Sequence, residues 1–397
     1  MRKSNIRTGV TAAIILICTI SVSAQEDNGT IWDDMSLNGY VKNLTTVFLP
    51  PGGDTSIFVD NLIHNRLDYS WYINSNFTFN ASMRNRLFYG ESVKSLPFVY
   101  DMLAEDPAFF DLSILWFNSK GAALHTTFDR LNIDFQKGSW QFILGRQRVN
   151  WGVNLVWNPN DIFNAFSYFD FDYEERIGTD AILSRKYISA TSTVELVYAP
   201  GDSIEASTIA GMYKVLLGSY DVQVIGGYLF DQVVVGGAWS GDIKGAGFRG
   251  EFSLFAPLGD DGRKTQFVGA IDLDYTFTNS LYVHASYLLN TTGLDSKTGD
   301  YTNFFLGAGS TISAQTLSPA MHNIFAEVGY SASPLVRLGF ASWFNPADAS
   351  LYLGPTVNWS VAQNFEILFN VQGFLGKDMT LFGNYGSFYY LRIKYSF

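Results

Sequence analysis

The 397-residue chain has a single cysteine, Cys18. It lies in the N-terminal segment expected to be cut off, so disulfides and thiolate metal sites are excluded from the mature chain. Beyond that segment no stretch holds the eighteen or so consecutive apolar residues of a spanning helix. Charge is sparse, at 16% of residues, and acidic, with a net −11. Removing the positive charges of Arg2, Lys3 and Arg7 takes −11 to −14, which speaks against nucleic-acid partners. Phosphate-loop, dinucleotide and EF-hand patterns are lacking, and no cofactor or metal is expected. What is present is 16% aromatic residues, 36 Gly and 22 Tyr, a strand-and-turn composition.

Both ends carry signals. Arg2, Lys3 and Arg7 form a basic start, Val10 to Ile20 an apolar run, and Val22-Ser23-Ala24 a small-residue cleavage site. Residues 1–24 therefore read as a secretory signal peptide, and Ile17 before Cys18 argues against lipidation. Residues 25–35 are a short periplasmic segment and 36–397 one domain. In the closing stretch Tyr389, Leu391, Ile393, Tyr395 and Phe397 share one face of a strand; Tyr390, Arg392 and Lys394 lie on the other. The pattern resembles the last strand of bacterial outer-membrane barrels. That resemblance implies that Tyr395 and Phe397 are an assembly signal read by the barrel-assembly machinery.

Turn chemistry divides the rest into about 18 strands, 16 being possible, each long enough to cross a bilayer at a tilt. Tight turns at 73–76, 136–139, 218–221, 277–280 and 331–334 alternate with links at 50–60, 91–121, 150–176, 200–206, 257–264, 291–321 and 376–384. Phe230–Gln232 breaks the alternation, being short where an external loop is expected. The expected fold is all-β: a transmembrane antiparallel up-and-down barrel with both termini on the periplasmic side and an inward-folding aromatic loop.

Alternation also sorts the faces. Leu67, Leu87 and Leu131 must meet lipid, so their neighbours Arg66, Arg84, Arg86 and Arg130 point inward. With Arg146, Arg148 and Arg176 they form a cationic wall, and Asp272, Asp274, Glu327 and Glu366 are expected opposite. Two readings stay open: these charges line a permeation path, or they brace the wall as ion pairs, with Asp68 and Asp134 nearest the arginines.

The 150–176 link is too aromatic to stay extended in water and should pack into the mouth or lumen. Its constriction candidates are Trp151, Trp157, Asp161, Phe163, Asp170, Asp172, Glu174 and Glu175. The strand with Gly145-Arg146-Gln147, the Trp151-Gly152 pair, the Asn158-Pro159-Asn160-Asp161 turn and the Arg176-x-Gly178-x-Asp180-Ala181 start resemble a poorly characterised set of porin-like outer-membrane proteins common in Bacteroidetes. The resemblance implies a Gram-negative outer-membrane transport barrel in contact with lipid and lipopolysaccharide, its substrate open.

An enzymatic barrel is the rival class, yet His64, His125, His284 and His322 offer only His284-Ala285-Ser286 as a partial pattern, so no catalytic residue is assigned. The expected function is a passive channel for small polar solutes. The alternatives are export or surface assembly of an anionic polysaccharide, and a structural or adhesion barrel with a plugged lumen.

Overall fold

The computed structural model describes residues 34–52, 56–106, 108–172, 174–176, 178–259, 262–299, 301 and 312–397. The signal-peptide expectation lies outside them. Among the described residues, nineteen strands form one sheet. They are β1 Met35–Leu49, β2 Phe58–Asn74, β3 Phe77–Gly90, β4 Ser113–Ser119, β5 Ala122–Lys137, β6 Trp140–Gln147 and β7 Thr179–Ser189. Next come β8 Ser192–Ala199, β9 Thr208–Leu217, β10 Tyr220–Leu229, β11 Gln232–Ile243, β12 Ala246–Pro257 and β13 Gln266–Thr276. The last are β14 Leu281–Asn290, β15 His322–Ser333, β16 Val336–Asn345, β17 Ser350–Ala362, β18 Phe365–Leu375 and β19 Ser387–Ser396. β1 pairs with both β2 and β19, so the sheet closes on itself. The seam ends where Phe397 and Gly39 exchange two backbone hydrogen bonds of 2.9 Å each.

Eighteen of these strands make the barrel wall, and β4 is the extra one. Its position has a physical cause. β6 accompanies β5 only from Lys137 up to Leu131, because the chain turns into the lumen after Gln147. The upper edge of β5 would then be bare, its N–H and C=O groups left without partners. β4, drawn from the 91–121 link, covers it from Ser113 opposite Thr127 to Ser119 opposite Ala122. The long 91–121 link thus contributes a strand to the wall, and besides β4 it contains short helices at Glu91–Ser95 and Pro97–Asp101. No helix among the described residues is long and apolar enough to cross a membrane.

Tight turns collect at one end of the barrel and longer links at the other, as alternation requires. The exception remains short: Phe230 and Asp231 both take positive φ, at 47° and 58°, and close β10–β11 as a two-residue hairpin of the primed type.

A bulge interrupts β5. Ser82 faces Arg130 and Met83 faces Phe128, leaving Asp129 without a cross-strand partner. The extra residue puts Asp129 and Arg130 on the inner face in succession.

Candidate functional site: the inner loop and the cationic wall

The chain between Gln147 and Thr179, themselves ladder partners, crosses the lumen. Its first half is fastened by polar anchors to four wall strands between β8 and β13. Trp151 Nε1 donates to Glu195 at 2.9 Å on β8, and Gln223 on β10 donates to the Trp151 carbonyl. Asn160 Nδ2 reaches the Gly237 carbonyl on β11 at 3.1 Å, and the Leu155 N–H reaches Asp272 on β13 at 2.6 Å. Asp161 accepts the N–H groups of Trp151 and Gly152 at 2.8 and 2.7 Å and pairs with Arg176, which closes the loop on itself. Burial pushes the Asp161 carboxyl up, and Arg176 opposes that shift.

The aromatic half packs against the far wall. Trp157, 2% exposed, meets Trp343 at 5.0 Å and Phe325 at 6.1 Å, both edge-on. Phe169 stacks flat on Trp343 at 5.2 Å, while Phe163 packs edge-on against Trp151. Such rings supply most of the apolar area that holds a segment in place. Residues 312–320 fill further space beside them through Leu317 and a Gln315 amide bonded to Gln232 and Gln266.

The acidic end of the loop emerges beside β1–β5 and β19. Asp172 pairs with Lys42 at 2.9 Å, Glu174 with Lys394 at 2.6 Å and Arg392 at 3.3 Å, and Glu175 with Arg130 at 3.6 Å. Asp170, Glu174 and Glu175 stay open to the lumen. Opposite them, Arg66 and Arg84 are both fastened to Asp129, at 2.5 and 2.6 Å, and Arg66 also to Asp68 at 2.9 Å. Arg86 Nη2 lies 2.9 Å from His125 Nδ1; the guanidinium can only donate, so that imidazole nitrogen accepts. The acidic end of the loop thus meets the wall through Glu175 on Arg130 and Glu174 on Arg392 and Lys394, with Asp170 in the field of Arg84 and Arg86, while Arg66 and Arg84 take their nearest carboxylate, Asp129, from the wall itself.

The other expected positions separate. Asp274 on the inner face pairs with Arg249, and Glu327 lies opposite His284 and Ala341 in the ladder. The Glu366 side chain is 51% exposed, 3.8 Å from Arg392. Asp272 is fully buried between the Leu155 N–H, Ser286 and His284, so it fastens the loop and faces no open space. That cluster also accounts for the His-x-Ser pattern: Ser286 donates to the carboxylate, with no Ser-to-imidazole relay. Arg148 is exposed and donates to Asn150 at 2.7 Å.

Arg146 is a correction. Its ladder partners are Leu131 and Asp180, and it shares a face with Phe142 and Leu144, which is the outer face. There it bonds Asp106 at 2.6 Å, Asp180 at 2.9 Å and the Phe128 and Phe110 carbonyls, stitching the wall where β6 ends. The cost of an outward charge is met by four partners beneath the 106–112 segment.

Sequence reading also passed over Asp129 and Lys42, and it put Arg392 and Lys394 on the polar face of the last strand without assigning them to the site. For Asp129 a signal existed: adjacent charges in Phe128-Asp129-Arg130-Leu131 cannot alternate, and an inward pair requires a bulge.

Asp170 offers a pH test. It is open to the lumen yet ringed by protein, and this enclosure, with Asp172 beside it, pushes its carboxyl up to about 6. Arg84 and Arg86 on β3 and Lys42 on β1 oppose the shift, and Tyr390 on β19 also faces it. The docked loop thus holds this proton more tightly than a free aspartate, whose value is about 3.9. The stabilisation from that proton is complete below the free value and is lost as pH rises through about 6. Resistance of the barrel to chemical unfolding should therefore gain a contribution on acidification from neutrality to about pH 5, and Asp170→Asn should flatten that response. An unchanged response in the variant would contradict the assignment.

No protein-family model matches the sequence, and no curated protein matches it. Solved structures do. The barrel is similar to Acinetobacter baumannii OccAB4, with a TM-score of 0.58 at 11% identity over 92% of this chain and 98% of that one. It is also similar to Pseudomonas aeruginosa OccK8 (OprE), with a TM-score of 0.56 at 10% identity over 93% and 99% of the two chains. For Pseudomonas aeruginosa OccK3 (OpdO) the values are 0.55, 9%, 91% and 96%. These likenesses are of fold. The chain is a closed antiparallel 18-strand β-barrel of the porin type.

Proposed function

We propose that this chain is an outer-membrane channel of the porin-like kind, passing small hydrophilic solutes through the gap between the acidic end of the inner loop and the cationic wall. The observation that carries the reading is the division of the lumen. The aromatic residues of 151–169 pack into the buried apolar cluster, while exposed Asp170 lies in the field of Arg84 and Arg86, exposed Glu175 meets Arg130, and exposed Glu174 meets Arg392 and Lys394. Opposite charges across a narrow, low-dielectric gap set up a transverse field that orders dipolar solutes and sets ion selectivity. Arg130, Arg148 and Arg176 line the loop edge of that path; Arg66 and Arg84 act on it through their field while bracing the wall. Asp68, Asp274, Glu327 and Glu366 line its vestibule at the turn end. The resemblance of the 140–200 region to Bacteroidetes porin-like proteins, the N-terminal export signal and the Phe397 terminus support delivery to the outer membrane by the assembly machinery, among lipid and lipopolysaccharide.

Reversal potentials in a salt gradient test the path. Arg130→Gln should shift the barrel toward cation selectivity, and Glu174→Gln with Glu175→Gln toward anion selectivity. Both shifts should grow in dilute salt, because screening reaches about 10 Å at 0.1 M. Conducting barrels in which neither change moves the potential would place the path elsewhere. A folded barrel without conductance would favour the plugged reading.

A further inference from the structure

The outer face is uneven. Across β9–β19 its residues are aliphatic, aromatic, Gly, Ala or Pro, apart from Ser342, the Tyr287–His322 pair and serines at strand ends. Across β1, β2, β3 and β5 it carries a stripe of Asn43, Thr45, Asn61, Asn65, Asn85 and Thr126. The ladders put Asn65 opposite Asn85 and Asn85 opposite Thr126, in phase with the outward Leu67, Leu87 and Leu124. Hydrogen bonds link the stripe: Asn43 to Thr45 at 3.2 Å, Thr45 to Asn61 at 2.8 Å, Asn85 to Asn65 at 3.2 Å and Thr126 to Asn85 at 2.7 Å. The Trp116 indole of β4 adds a donor to Thr126 at 2.9 Å.

The stripe lies inside the apolar band. Outward residues along β3 run Phe77, Phe79, Ala81, Met83, Asn85, Leu87 and Tyr89, so Asn85 is flanked by apolar residues and bounded by aromatic rings at both ends. Asn65 and Thr126 are already buried within the wall, Asn65 also donating to the Tyr40 carbonyl at 3.2 Å, whereas Asn43, Asn61 and Asn85 are partly exposed and keep amide capacity for which lipid tails offer no partner. A cover that hydrogen-bonds at this depth gains what lipid cannot supply.

We propose that this face is the contact surface of a homo-oligomer, with a second copy of this chain covering the stripe. This rests on the membrane reading above. The occupant must sit in the bilayer at the same depth, which excludes a soluble partner. The stripe is uncharged, so a charged partner gains nothing from it. Its amides donate and accept alike, so the same face about a symmetry axis is its own complement.

The test uses the full chain with Cys18→Ser and one new cysteine, either Asn85→Cys within the stripe or Ile271→Cys on β13, on the opposite outer face. A membrane-permeant bismaleimide should double the apparent mass of the Asn85→Cys chain and leave Ile271→Cys monomeric. Position 271 should instead react with a lipid-soluble maleimide. In mild detergent the parent should run as an oligomer, and Asn65→Leu with Asn85→Leu should run as a monomer with heat-modifiable mobility intact. A labelled 271 with a monomeric, uncrosslinked 85 would overturn the interface alone. Cross-linking of 85 only to a different polypeptide would also overturn it. An unlabelled 271 in a heat-modifiable barrel would overturn the membrane reading and this proposal with it.

Discussion

Replacing residues 151–175 with a short Gly-Ser linker should raise single-channel conductance severalfold and abolish ion selectivity. The barrel should survive the change. Gln147 and Thr179 are ladder partners, so a short linker closes between them at little entropic cost, and the wall keeps its own hydrogen bonds. What is lost is the packing of Trp157 and Phe169 on Trp343 and the ion pairs of Asp172 and Glu174 with Lys42, Arg392 and Lys394. Those cations would be rehydrated in a wider lumen and so tolerated. An unchanged conductance in a folded barrel would mean that the loop lies off the permeation path.

Asp129→Asn should destabilise the barrel by about 3–5 kcal/mol, the range for stranding buried charge by removing its partner. The side chains of Arg66, Arg84 and Asp129 are only 2%, 3% and 1% exposed, and both guanidinium groups converge on one carboxylate oxygen. Arg66 retains Asp68; Arg84 loses its nearest counter-charge. Chemical unfolding of the reconstituted protein would measure the effect, and Asp129→Asn combined with Arg84→Met should recover part of it. A midpoint unmoved by Asp129→Asn would show that water or another group compensates the pair.

The faces of the wall were legible because a strand has a period of two, so Leu67 and Leu131 fix where Arg66 and Arg130 point. That logic fails wherever the ladder is irregular. The bulge at Asp129 hides an inward carboxylate, and the end of β6 lets Arg146 stay outside, capped by Asp106 and Asp180. β4 was not legible because its reason to exist is the gap left by another segment, a tertiary cause without a local signature. The aromatic density of residues 151–171 announced an inward loop, but its direction depends on anchors such as Asp272 and Gln223, more than fifty residues away. The same distance hides the clamp on Glu174, whose partners lie in the last strand.

The location of the path is tested most directly by placing a cysteine at position 175 or 170 in the Cys18→Ser chain and recording single channels while a charged, water-soluble methanethiosulfonate is added. Both side chains stay open on the lumen side of the loop. The predicted result is a stepwise change in conductance and a reversal-potential shift whose sign follows the charge of the reagent. Complete modification of either cysteine with conductance and selectivity unchanged would contradict a passage between the acidic loop and the arginine wall.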